Sequence, residues 1–93
     1  MSQSIMQKDK SCYLTGTTYN LHKHHIFYGN GKRKLSEEWG CWCWLTGKLH
    51  NQGNKGVHFN HPLDLQLKRD CQYKFEALYG HDKFMEVFGR NYI

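Results

Sequence analysis

The sequence predicts a small α+β fold, and three observations carry the prediction. Two short stretches, Leu21 to Phe27, which contains Ile and Phe, and the apolar run Cys41 to Leu45, are bounded by turn-forming residues, as strands are. Leu63, Leu67, Cys71 and Phe75 then recur every four residues, the spacing of one helix face. Finally, 93 residues are too few for two hydrophobic cores, so strands and helices belong to one domain spanning 1–93.

The elements follow in order. Residues 1–10 show no hydrophobic period and read as a flexible lead-in. Ser11 to Gly16 forms a short turn-bounded knuckle, and Leu21 to Phe27 the first strand. Gly29-Asn30-Gly31-Lys32-Arg33-Lys34 reads as a flexible basic loop, whose glycines allow close approach to a phosphate and whose cations would pair with one. Charge for solubility explains that loop equally well. Leu35 to Gly40 reads as one helical turn with a glycine stop. Cys41 to Leu45, apolar on both faces, reads as a strand buried on both sides. Leu45 to Gln52 suits a short helix ending near Gly53. Asn60 is a good N-cap with Pro62 in the turn that follows, opening the clearest amphipathic helix, with Leu78 and Tyr79 closing its stripe. Gly80 ends that helix, and Asp82 is placed to cap a last one carrying Phe84, Val87 and Phe88.

Thirteen Lys and Arg against eight Asp and Glu give a net charge of +5, which permits a polyanionic partner without requiring one. Met1 to Lys10 lacks an apolar signal core, and the longest uninterrupted apolar run is far too short to span a bilayer. The expectation is a cytoplasmic protein with no membrane partner. Its four cysteines are expected as free thiols, metal ligands or small buried hydrophobes.

The stretch richest in chemistry is Leu21-His22-Lys23-His24-His25-Ile26-Phe27, with three of the chain's seven histidines. On a strand, His22 and His24 share one face and His25 points to the other. Such a stretch offers a metal ligand beside a base, because neutral imidazole binds transition metals and titrates near neutral pH. Solvated histidines on a surface strand are the plainer reading.

His24-His25, a second strand, and then His50 at a helix start make a β-β-α arrangement. The stretches Leu21 to Phe27, Arg33 to Glu37, Leu45 to Asn51 and Gly56 to Asn60, in that order, resemble the HNH nuclease family, most of all its small phage-encoded members. The resemblance implies a ββα-metal (His-Me finger) core over residues 12–60, built on a two-stranded hairpin, with additional C-terminal helices over 61–93. It implies His24 and His50 as metal ligands and His25 as general base, with Asn54 or His58 completing the metal site. One divalent ion is implied, with Mg²⁺, Mn²⁺, Ni²⁺ and Zn²⁺ all open, and DNA is the implied substrate in a host bacterial cytoplasm. Lys23, Lys32, Arg33 and Lys34 would neutralise the phosphates of bound DNA.

Two departures from the family pattern stand out. Its middle Asn falls near Cys41, where this chain has none. Its zinc-knuckle pairs fall on Cys12 and Thr15, and on Thr46 and Leu49, leaving one thiolate where a tetrahedral site needs four ligands, so no structural zinc is expected. The functional expectation is a metal-dependent DNA endonuclease or nickase. The alternative is a catalytically silent ββα module that binds DNA, or that binds a host protein as an inhibitor of a defence nuclease.

Overall fold

The computed structural model describes residues 3–51 and 60–93. Its elements run β1 (Leu21–His25), α1 (Lys32–Trp39), β2 (Trp42–Thr46), α2 (Gly47–Asn51), α3 (His61–Tyr79) and α4 (His81–Phe88). The architecture is the expected α+β, with β1 and β2 forming a two-stranded antiparallel sheet. The register sets His22 opposite Leu45, His24 opposite Cys43 and His25 opposite Trp42. Helix α2 packs on both strands, and α1 packs on β1 and α4.

The first strand is shorter than the sequence suggests, and a single serine shows why. Past His25 the chain bends, and Phe27 is fully buried. Its N–H donates to Ser36 Oγ (3.0 Å), and Ser36 Oγ donates to the Phe27 carbonyl (2.7 Å). A buried hydroxyl thus replaces the strand ladder for both backbone groups, satisfying them where an unpaired group would be costly.

The basic segment also differs from expectation. Lys32, Arg33 and Lys34 are the first turn of α1 rather than part of a loop. Gly31 makes the entry at φ 83°, a left-handed conformation that suits glycine. Three cations at a helix N-terminus oppose the helix dipole. The helix is held instead by packing: Ser36 is buried, and Leu35 and Trp39 lie against the core. Gly40 closes it, and a Cβ there would fall 2.2 Å from the Gln3 carbonyl oxygen, so the position is closed to side chains.

Residues 3–10 dock on the protein where a flexible lead-in was expected. Met6 is buried, and Ile5 N–H donates to the Gly40 carbonyl (2.9 Å). Ser4 Oγ donates to the Trp42 carbonyl, and Trp44 N–H donates to Gln7 Oε1 (2.8 Å). Tyr13 N–H then donates to the Trp44 carbonyl (2.8 Å). The outer edge of β2 is therefore engaged by the segment that precedes β1. No hydrophobic period marks this, because the bonds run through polar side chains and backbone.

Asn60 caps α3 as expected, its Oδ1 accepting from Leu63 N–H (3.2 Å), with Pro62 in the first turn. Leu67, Cys71 and Phe75 are buried, but Leu78 is 61% exposed and does not close the stripe. Asp82 lies in the first turn of α4 without capping it, because Gly80 occupies the N-cap. The C-terminal core is aromatic: Phe27 stacks on Phe88 (4.4 Å between centroids) and meets Phe84 and Tyr92, and Phe75 joins them. All four cysteines are free and buried. No helix among the described residues is long and apolar enough to cross a membrane.

Candidate functional site

The hairpin and α2 gather three of the sequence-selected histidines around one cavity. Its volume is about 190 Å³, and Lys23, His24, His25, Tyr28, Arg33 and His50 line it. His24 and His25 alternate along β1, so their side chains leave the strand on opposite faces. The cavity sits at the strand's end, where both are reachable. His50 comes from α2, and its ring centroid lies 5.3 Å from that of His24. Lys32 and Lys34 are set apart from this cavity, although Lys34 joins Arg33, His25 and Glu37 in the adjoining groove of about 450 Å³. Asn54 and His58 lie outside the described residues.

His25 has a partner that the sequence reading missed. Its Nε2 lies 3.0 Å from Glu37 Oε1, and Lys23 Nζ reaches the same carboxylate at 3.2 Å. A carboxylate only accepts, so this contact puts the proton on Nε2 and leaves Nδ1 with the lone pair. Arg33 Nε donates towards that Nδ1 at 3.5 Å. The tautomer is the one a general base needs. Glu37 was visible only as part of a helical turn, 12 residues away, and no spacing rule joins a helix residue to a particular strand residue.

The hydrogen bond from His25 holds the Glu37 carboxyl below the usual carboxylate range; desolvation opposes it, and Lys23 reinforces it. A carboxyl depressed on folding stabilises the protein above its unfolded pKa, about 4.3, and that contribution is lost as pH falls through the folded value. The native protein should therefore lose urea resistance more steeply than Glu37→Gln as pH drops from about 5 to about 3. Parallel profiles for the two proteins would remove Glu37 from the charge array.

Tyr28 forms another wall. Its hydroxyl donates to Asp64 Oδ1 (3.0 Å), Asp64 pairs with Lys68 (2.7 Å), and the Lys68 ammonium lies 4.4 Å above the Tyr28 ring. Burial, with Asp64 beside it, pushes the phenol up to about 12, so it stays a neutral donor. The signal available in the sequence was Asp64 itself, a carboxylate near the buried stripe of α3.

His22, on the same face of β1 as His24, was not selected as a ligand. Its Nδ1 lies 3.4 Å from His50 Nδ1. A Cβ built on Gly47 would come within 3.1 Å of His22 Cε1 and Nε2, so the ring rests against the opening residue of α2. Among the described residues, no group of three or more His, Cys, Asp or Glu side chains could hold a metal ion. Among these residues His50 contacts His22 and lies beside His24.

In the segment of Cys12, several hydrogen bonds converge on one sulfur. Burial pushes the Cys12 thiol up, but donors from the Thr15 hydroxyl and the backbone N–H groups of Thr46, Thr15 and Leu14 outweigh it, leaving Cys12 below its ordinary value. Leu49 packs on the core. Burial raises Cys43 to about 12, which marks it as an unreactive thiol. Cys41, where the family's middle Asn would fall, is fully buried.

No protein-family model, curated protein or solved structure matches this chain.

Proposed function

We propose that the protein is a metal-dependent DNA endonuclease or nickase of the HNH type. The observation that carries this reading is the single cavity shared by His24, His25 and His50 with the cations Lys23 and Arg33. A phosphodiester repels nucleophiles through its negative charge and releases a poor alkoxide leaving group. Basic groups that offset the charge, with a base to activate water, are what its hydrolysis needs.

His25, oriented by Glu37, takes the proton of the attacking water on Nδ1. The water oxygen bonds to phosphorus, the scissile P–O bond breaks, and the departing alkoxide takes a proton from solvent. Arg33, facing Nδ1 in the free protein, turns to the phosphate when substrate enters. Lys23, Lys32 and Lys34 neutralise neighbouring phosphates, and such contacts carry affinity rather than sequence preference. In this reading His24 and His50, whose ring centroids lie 5.3 Å apart, would hold a divalent cation together with Asn54 or His58. When bound there, such a cation polarises the phosphoryl group and stabilises the leaving oxygen.

Two observations favour a second reading, a silent ββα module that binds DNA or a host protein. Cys41 is buried where the family has its middle Asn, and Arg33 donates towards the lone pair of His25. Supercoiled plasmid incubated with the protein and Mg²⁺, Mn²⁺, Ni²⁺ or Zn²⁺ separates the two. Relaxed or linear product with at least one ion is the expected result. A gel shift of DNA with no cleavage under all four ions would leave only the silent module.

A further inference from the structure

We infer that the outer face of the hairpin carries a nucleobase site, formed by Trp42 and Trp44 with residues 3–9, and that the DNA it takes is single-stranded. The inference rests on the reading above for DNA as the partner, and adds to it the state in which that DNA is held.

The register places the site. Lys23 stands opposite Trp44 and His25 opposite Trp42, so these four side chains share one face of the sheet. The other face of β2 carries Cys43 and Leu45, both fully buried in the core. Trp39 packs against that core, whereas Trp42 and Trp44 lie outside the cluster. Their rings meet at 85° with centroids 5.5 Å apart, which makes a right-angled aromatic corner. A pocket of about 530 Å³ opens there, lined by both indoles and by Gln3, Ser4, Gln7, Lys8 and Asp9.

One wall of the pocket holds an unused donor. Trp42 is only 9% exposed, and its buried Nε1 has no hydrogen-bond partner among the described residues. A buried tryptophan N–H ordinarily finds an acceptor, and leaving it without one is costly. A ligand that brings a carbonyl oxygen, ring nitrogen or phosphate oxygen into the pocket removes that cost.

The remaining groups select the class of ligand. Every nucleobase has a flat π-face that stacks on an aromatic ring. Gln3, Lys8 and Asp9 are exposed, and together they offer donors and acceptors to a base edge that carries both. The ammonium of Lys10 lies 4.6 Å over the Trp44 ring, and that of Lys23 lies 4.2 Å over Trp42. Lys10 is exposed, so it yields its ring contact readily to a stacking base and then meets the phosphate that the base carries. A neutral sugar would use the rings and make no use of the cations. Lys23 also reaches Glu37 at 3.2 Å, and Glu37 lies 3.0 Å from His25. A strand laid along this face therefore runs from the tryptophan corner to the histidine cavity. Bases inside a duplex keep their faces stacked on one another, so only an unpaired base enters the corner.

The test is binding by the whole chain in excess chelator, so that no strand is cut. The probes are a labelled oligothymidine of about 12 nucleotides, within the range of one single-strand site, an abasic strand and a G·C-rich duplex of the same length. Affinity is read by fluorescence anisotropy, and stacking by quenching of tryptophan emission. The native protein should bind oligothymidine more tightly than either the abasic strand or the duplex, with quenching. Trp44→Ala should weaken binding about 5–150-fold, the usual loss of one base–aromatic stack, and Trp44→Phe should restore most of it. Trp42→Phe, which keeps a ring and removes the N–H, should weaken binding about 2–10-fold. His81→Ala, at an exposed site beside Glu76, should match the native protein. Folding of each variant is checked by circular dichroism, and the comparison of oligothymidine with the abasic strand needs no variant at all. Equal affinity for those two strands, tighter binding of the duplex, or native affinity in a folded Trp44→Ala protein would each overturn the inference. Any of these with cleavage of plasmid would leave the nuclease reading standing. Trp44-dependent binding of oligothymidine without cleavage under any ion would uphold the inference and count against the nuclease reading alone.

Discussion

Replacing His25 with alanine should lower plasmid cleavage by about 10²–10⁴-fold, the usual contribution of a positioned general base. The expectation follows from the arrangement around the ring. Glu37, itself paired with Lys23, fixes one nitrogen, and the other faces Arg33 at the cavity. The residue is not among the fully buried ones and lies outside the apolar core cluster, so its loss should leave the fold intact. Circular dichroism and urea unfolding of the variant establish that point before rates are compared. On the proposed reading DNA affinity should hardly change, because Lys23, Lys32, Arg33 and Lys34 would supply the charge that meets phosphate. A variant that cleaves at the native rate would assign the proton transfer to another group. A variant that loses DNA binding in step with cleavage would make His25 a contact residue.

The largest loss of stability is expected from Phe27→Ala. Phe27 is fully buried and touches three other rings, those of Phe84, Phe88 and Tyr92. Truncating a buried phenylalanine costs about 3–5 kcal/mol, from lost burial and from the cavity left behind. A domain of this size has about 5–14 kcal/mol in all, so the variant would lose a large share of its stability. Thermal unfolding followed by tryptophan fluorescence should show Tm lower by at least about 12 °C. A cost below about 1 kcal/mol would mean that the helices collapse into the gap. Phe27 also ties two regions together. Its backbone is held by Ser36 of α1 and its ring by α4, so the end of the histidine strand is anchored to the helical half of the molecule.

Much of the architecture is legible in the sequence because it rests on local rules. The four-residue spacing from Leu63 to Phe75 finds the core of α3, and Asn60 marks its start. The run from Cys41 to Leu45 finds β2 within one residue. What escapes is non-local or polar. Nothing local announces that Ser36 replaces the ladder beyond His25, so β1 is read two residues too long. The first turn of α1 is hidden because three cations there contradict the helix dipole, and only packing of Leu35, Ser36 and Trp39 compensates. The docking of residues 3–10 depends on Ser4 and Gln7, whose side chains carry no periodic signal. At the candidate site, the resemblance singles out His24, His25 and His50, which line one cavity in the structure. Glu37, Tyr28 and Asp64 are supplied by elements that meet only on folding.

The docked residues 3–10 bear on how this molecule keeps to itself. A two-stranded sheet with a bare side is a template on which another chain can lay a strand. Here the Trp42 carbonyl and the Trp44 N–H are already taken by Ser4 and Gln7, and Tyr13 takes the Trp44 carbonyl. The tryptophan-bearing strand therefore has these edge groups taken, and the segment read as a flexible lead-in covers a side on which another strand would otherwise pair.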